Sequence, residues 1–170
     1  MQIRTVTNGD DLEKVKDLFR EYFDWVVNDL GFEPSYRGAE EELRAPPGAF
    51  SPPAGCPLLA DAGEHAAASG ALRSLDPGVC ELKRMYVRPQ YRGQGLGRAI
   101  GQELLRQARN KGYRLARLDT EVSLDVARRL YASLGFRAMP QYYQVPTEIL
   151  QRSVFMEAVL DTEREPPDVV

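Results

Sequence analysis

The sequence predicts an α/β (α+β) fold, one mixed layer in the order β, α, (α), β, β, β, α, β, α, β, β, and three observations carry it. Apolar spacing switches along the chain between strict alternation and the helical period. Glycine or proline punctuates most of those switches. The 170 residues, 43% of them hydrophobic, suit one domain at roughly 100–200 residues per domain. A chain of this size buries roughly 70% of its unfolded surface, so a core forms without disulfides or metal. We place the domain at residues 1–162 and expect the 163–170 tail, with its two prolines, to fray.

Ile3 to Val6 reads as a first strand. From Asp10, apolar residues recur at Leu12, Val15, Leu18, Phe19, Tyr22, Phe23 and Val26, a helix with Asp10 and Glu13 as a capping pair and Gly31 as its stop. Tyr36 to Leu43 suggests a second, shorter helix. Ala45 to Pro57 is too dense in proline and glycine for a helix or a central strand and reads as a loop or lid. Leu58 to Ala62, a turn at Gly63, and Ala66 to Leu75 form a hairpin. After Asp76-Pro77-Gly78 comes a strand from Val79 to Val87. Gly95 to Asn110 is an amphipathic helix ended by Gly112, and Arg114 to Thr120 the next strand. Ser123 can cap a helix that runs to Leu134 and stops at Gly135. Phe136 to Met139 and Val154 to Leu160 are late strands.

Cys56 and Cys80 lie 24 residues apart with neither a CxxC spacing nor a histidine partner, which excludes a disulfide scaffold and a zinc ribbon and leaves no metal site to expect. With no secretory signal, the expected setting is the reducing cytoplasm. No apolar run approaches the ~18 residues that span a bilayer. The charge is uneven. Residues 81–117 carry ten basic and two acidic side chains, a net +8 that leaves −11 for the rest of a chain totalling −3. A basic segment in an acidic protein points to a local anion site. Nucleic acid is the weaker partner for it, because the arginines lack interleaved aromatics or a recognition motif.

Chemistry concentrates in Met85-Tyr-Val-Arg-Pro-Gln-Tyr-Arg-Gly-Gln-Gly-Leu-Gly-Arg98. A strand ends near Val87 and three alternating glycines lead into a helix. Backbone amides there can converge without Cβ atoms in the way, and the helix start adds free N–H donors. The result is a cradle for a phosphate or pyrophosphate, with Arg92 and Arg98 as side-chain cations. A Walker loop fails because the chain has no Lys-Ser or Lys-Thr, and the dinucleotide fingerprint fails because position 98 is arginine.

Arg92-Gly-Gln-Gly-Leu-Gly97 resembles the pyrophosphate loop of the GNAT superfamily of N-acetyltransferases. Ala127-Arg-Arg-Leu-Tyr131-Ala-Ser-Leu-Gly135-Phe136, on the helix after the next strand, is similar to the second signature of that superfamily. The resemblance is strong from Val79 to Phe136, and the run from Cys80 to Pro89 looks like a bacterial subgroup of unassigned substrate. It departs from the family at Leu124, where many members have asparagine, so Ser123 is left to hold that helix start.

The resemblance implies a mostly antiparallel sheet of about seven strands, helices on both faces, and a splay between the fourth and fifth strands. Acetyl-CoA would dock in the splay as cosubstrate. Its pantetheine arm would lie along Met85, Tyr86 and Val87, its pyrophosphate on the amides of Arg92, Gly93, Gln94, Gly95, Leu96, Gly97 and Arg98, with Ser123 nearby. Tyr131 is similar to the general acid of the family. Glu81 is either the general base or a salt-bridge partner of Lys83 or Arg84, and strand alternation puts Glu81, Lys83, Met85 and Val87 on one face. His65 is expected to be exposed and idle, and Cys80 to be core. Tyr22, Trp25, Tyr36, Phe50, Tyr142 and Tyr143 are candidate walls for an acceptor. The implied activity is acetyl transfer to a primary amine of a small molecule or amino acid. The alternatives are a peptide N-terminus as acceptor, or a non-catalytic acyl-CoA sensor. Pairing through the late strands would make a homodimer.

Overall fold

The computed structural model describes residues 2–7, 9–31 and 47–160. The helix expected at Tyr36–Leu43, the wall residue Tyr36 and the end of the domain with its tail lie outside them. The elements are β1 (Gln2–Thr5), α1 (Gly9–Leu30), β2 (Cys56–Ala62), β3 (His65–Asp76), β4 (Val79–Val87), α2 (Leu96–Asn110), β5 (Leu115–Glu121), α3 (Asp125–Ser133), β6 (Arg137–Met139), α4 (Thr147–Leu150) and β7 (Ser153–Val159). Seven strands form one sheet in the order β1-β2-β3-β4-β5-β7-β6. Every neighbouring pair is antiparallel except β4–β5.

Side-chain alternation builds two cores, one on each face of the sheet. Leu58 and Ala60 face α2, packing with Ile100, Leu104, Leu105 and Ala108. Leu59, between them, faces α1 and meets Val15, Leu18 and Phe19, with Phe50 set edge-on to Phe19 at 5.8 Å. Each such fully buried side chain stabilises the fold by about 1.5–3 kcal/mol. Asp10, expected as a helix cap, lies inside the first turn of α1, which begins at Gly9. Its neighbour Asp11 takes the Arg4 guanidinium at 2.6 and 2.8 Å, and Arg4 also reaches Asp61, so one cation ties β1, α1 and β2 together. Pro57, expected in the loop, is the second residue of β2, where a missing N–H costs the ladder little.

One irregularity controls the rest. On β4, Lys83 pairs with Ala71 and Tyr86 with Ser69, so β4 spends an extra residue against β3. That bulge sits at Arg84, which has φ +56, the one positive-φ residue other than glycine among the described residues. The bulge inverts the alternation beyond it. Met85 and Val87 pack into the α2-side core with Cys80 and Leu82, whereas Tyr86 joins the α1-side core and Arg84 lies over two rings of α1. The expectation that Glu81, Lys83, Met85 and Val87 share a face is therefore corrected.

Gly70 lies across the bulge. A Cβ there would stand 2.6 Å from Ile100 Cγ2 and 3.1 Å from Leu104 Cδ1, so the bare backbone of β3 lets α2 sit down on the sheet. Gly70→Ala should lower the unfolding free energy by about 1–3 kcal/mol, read from urea unfolding midpoints.

Candidate functional site

The parallel ladder between β4 and β5 is short. Val79 pairs with Leu115, Cys80 with Ala116 and Glu81 with Arg117, and there the pairing ends. From Leu82 onward the strands part, and the β5-facing backbone groups of β4 have no strand to pair with among the described residues. A cavity of about 150 Å³ opens at the mouth of the gap. Its walls come from β4 (Leu82, Lys83, Arg84, Met85), β5 (Asp119, Thr120, Glu121), α1 (Tyr22, Phe23, Trp25) and the helix that carries Ala127 and Tyr131.

Tyr131 and Met85 line the same cavity. The Tyr131 ring meets Phe136 edge-on at 6.1 Å. Burial in the wall, with smaller electrostatic contributions from Tyr22 and Asp119, pushes the phenol above its ordinary value, so it stays protonated through the neutral range.

Glu81 is not on the cavity wall. It is 1% exposed, at the last rung of the parallel ladder. Arg73 donates to Oε2 at 2.8 Å, the Tyr142 hydroxyl donates to Oε1 at 2.7 Å, and Lys83 Nζ lies 3.4 Å from Oε1. Lys83 in turn donates to Asp119 at 2.9 Å, which carries the network across the gap to β5. Burial alone would raise the Glu81 carboxyl; Lys83, Arg73 and the Tyr142 hydroxyl outweigh it and hold the group below its ordinary value.

Beyond β4, Gly93 (φ +75) and Gly95 (φ +83) turn the chain into α2, and a Cβ on either would meet nothing within 4 Å. Gly95 is the N-cap and makes no side-chain cap bond to the first amides of α2. Arg92 donates to the Val87 carbonyl at 3.1 Å and lies over the Trp25 ring, while Arg98 reaches Ser133 at 2.9 Å. Both cations flank the turn and stay exposed. Gln94 donates to the Gln90 carbonyl at 3.3 Å, and Leu96 is buried beneath the turn.

Other expected residues divide. Tyr22 and Trp25 line the cavity; Phe50 is in the core, and Tyr142 and Tyr143 pack on Phe155 at 5.4 and 5.3 Å, away from the wall. Ser123 does not cap α3, whose N-cap is Leu124. Its amide and hydroxyl both donate to the Glu121 carboxylate instead. Cys80 is buried and its thiol is pushed up to about 12, chiefly by desolvation, and His65 is exposed. Arg84, Asp119 and Glu121 were missed as wall residues. The two carboxylates were findable, since alternation along β5 puts both on one face at the open end of the splay. Arg84 was not, because nothing in the spacing betrays the bulge.

The network makes a stability claim. A carboxyl whose folded value lies below its unfolded one stabilises fully above the ordinary value of 4.5, and that stabilisation is lost as the pH falls through the folded value. Glu81→Gln removes the charge that Arg73 and Lys83 share, leaves Lys83 to Asp119, and should cost about 1–3 kcal/mol at neutral pH. It should also flatten the loss of stability below about pH 4.5, read from urea titrations across pH. A residue serving only as a base would lose turnover and keep its stability.

With this geometry in place, the comparisons with known proteins agree on a family. The model of the acetyltransferase (GNAT) family matches residues 12–136. An uncharacterized N-acetyltransferase of Schizosaccharomyces pombe is 35% identical over 149 residues, covering 86% of this chain and 88% of that relative. The structure of yncA from Salmonella typhimurium, solved with its cofactor acetyl-CoA, is similar with a TM-score of 0.66 at 25% identity, covering 99% of this chain and 98% of that one. The paia N-acetyltransferase of Thermoplasma acidophilum, in complex with coenzyme A, shares the fold with a TM-score of 0.69 at 20% identity, over 94% of this chain and 99% of that one. A glycine turn into an uncapped helix, a sheet that opens at its parallel pair and a tyrosine at the opening are therefore features of a chain that belongs to the GNAT acetyltransferase family.

Proposed function

We propose that this chain moves an acetyl group from acetyl-CoA directly to a primary amine of a small molecule or amino acid. The observation that carries the reading is the cavity at the mouth of the β4–β5 gap, which Met85 and Tyr131 both line beside the edge of β4 that β5 leaves beyond Glu81. Unpaired N–H and C=O groups are costly unless a ligand or water satisfies them. An amide-bearing arm such as pantetheine fits such a gap as an extra strand, on Met85, Tyr86 and Val87.

The pyrophosphate is assigned to the turn from Arg92 to Arg98. Open space around Gly93 and Gly95 admits phosphate oxygens close to the main chain. The uncapped start of α2 adds a dipole contribution of about 0.3–2 kcal/mol, and Arg92 and Arg98 add charge from either side. Ser123, engaged by Glu121, is assigned to shaping the wall rather than to holding the cofactor.

In the transfer, the neutral amine nitrogen attacks the thioester carbonyl carbon. A backbone N–H in the stretch Met85–Val87 steadies the oxyanion, a contribution of about 3–4 kcal/mol when well aimed. The C–S bond then breaks, the sulfur leaves with the electron pair and takes the proton of Tyr131, and the proton that the acylated nitrogen sheds as the amide forms returns to the phenolate through solvent. The raised phenol does not spoil this step, because the same desolvation raises the basicity of the thiolate it protonates. Glu81 is assigned to the framework rather than to the base. The carboxylates on that wall are Asp119, paired with Lys83, and Glu121, and the proton of an arriving ammonium group leaves to solvent past them.

Release of free thiol from acetyl-CoA across a panel of amines tests the reading, and no release together with no calorimetric binding of coenzyme A rejects it. Two variants probe the parts separately. Gly97→Glu puts a negative charge into the turn and should weaken coenzyme A binding tenfold or more, about 1.4 kcal/mol. Tyr131→Phe should slow turnover while coenzyme A affinity, measured calorimetrically, stays nearly constant.

A further inference from the structure

Every charged side chain on the cavity wall is already spent on another part of the protein. Lys83 donates to Asp119 at 2.9 Å and lies 3.4 Å from Glu81. Arg84 lies over the rings of Phe23 and Tyr22, 4.6 and 5.6 Å from their centres. Glu121 accepts from Ser123 and from Arg152. A buried charge that turned to a ligand would leave its present partner unmatched. The walls left to select an acceptor are the apolar ones.

Those walls follow from the sequence of α1. Val15, Phe19, Phe23, Val26 and Leu30 succeed one another at steps of three or four and form one stripe. Val15 and Phe19 meet the sheet in the α1-side core, and Phe23 is buried. Val26 and Leu30 carry the stripe on to the cavity, where they are half-buried among the described residues. Leu124 adds an independent observation. It is the N-cap of α3, a position that favours serine, threonine, aspartate or asparagine, and it makes no side-chain cap bond. The chain forgoes that bond and sets an apolar side chain on the cavity wall. Trp25, on the same lining, is the one tryptophan of the chain. Its ring lies 6.5 Å from that of Tyr86 and 6.2 Å from that of Tyr22, with the Arg92 guanidinium 5.7 Å from its centre, so it is a fixed flat surface. The cavity volume of about 150 Å³ is of the order that takes a benzene-sized guest.

We propose that the acceptor is a small primary amine with an apolar body, an aryl or short alkyl group bearing no charge besides the ammonium, and that Trp25, Val26, Leu30 and Leu124 select it. This rests on the acetyl-transfer reading for the reacting group but is tested by binding. The protein, saturated with coenzyme A, is titrated calorimetrically with butylamine, pentylamine, hexylamine and phenethylamine, beside phenylalanine and 1,6-diaminohexane, while Trp25 emission is followed. Affinity should rise about fourfold with each added methylene. Phenethylamine should bind about tenfold or more tighter than phenylalanine, which adds a carboxylate to the same body, and hexylamine likewise tighter than the diamine. Each apolar amine should shift Trp25 emission as it saturates. Leu124→Asn should weaken phenethylamine about tenfold without lowering the urea midpoint, because asparagine supplies the missing cap. A leucine that only packed would give the reverse. Should that variant not fold, the series on the unaltered protein still decides, and should coenzyme A not bind, the series is read on the protein alone.

Affinity for phenylalanine or the diamine that equals or exceeds that of its partner overturns the proposal. So do a flat methylene series, a Trp25 emission that stays silent, and an absence of binding by every apolar amine. Thiol release from acetyl-CoA separates the two ideas. Release fastest with amino acids or diamines removes the apolar class and leaves acetyl transfer standing. Apolar binding without release keeps the ligand class of the walls and removes acetyl transfer.

Discussion

The parallel ladder of β4 and β5 stops at Glu81 and Arg117, and that stop is the constraint on which the site depends. Two adjacent strands in one sheet ordinarily pair along their whole length, because a buried backbone group without a partner costs free energy comparable to a lost hydrogen bond. Here β4 and β5 forgo that mutual pairing beyond Glu81 and Arg117. Side chains join the strands where the ladder ends. At the apex, the Glu81 carboxylate is bonded by β3 through Arg73 and by the segment before α4 through Tyr142, and Lys83 links it to Asp119 on the far strand. Two carboxylates and two cations balance, so a nearly dry, charged cluster is tolerable where a single buried charge would not be.

The bulge at Arg84 is the second half of the same device. An extra residue on β4 turns Met85 and Val87 toward α2, and it swings the Arg84 side chain to the α1 side. Without it, strict alternation would put Met85 on the face of Lys83, and Arg84 on the face of Leu82 in the α2-side core. The strain of a left-handed arginine thus accompanies a change of lining along the whole open end of the strand. Gly70 on the partner strand belongs to this arrangement, since the space it leaves is filled by Ile100, Leu104 and Met85.

Much of the fold was legible because it follows from local periodicity. The limits expected for β4 match those observed, and those of α2 differ by one residue. Where expectation and structure part, a distant partner or a missing pattern is responsible. Glu81 looked as much like a base as a structural ion because Tyr142, which donates to it, lies 61 residues away. Ser123 looked like a helix cap because it precedes a helix, but the Glu121 carboxylate two residues back competes for it. α4, four residues long after Pro146, is too short for apolar periodicity to register.

The same contrast explains why one half of the site carries a motif and the other does not. The coenzyme is to be held by main chain, at a turn whose requirement is positive φ and the absence of Cβ atoms, and glycine at fixed spacing is the one way a sequence writes that requirement. The acceptor side is assembled from side chains of α1, β4 and β5, 99 residues apart in sequence from Tyr22 to Glu121. Each is an ordinary aromatic or charged residue in its own segment, and no spacing relates them. Specificity for an acceptor therefore has to be read from the walls of the cavity, where the rings and aliphatic side chains left between the paired charges select the partner, rather than from the pattern that identifies the family.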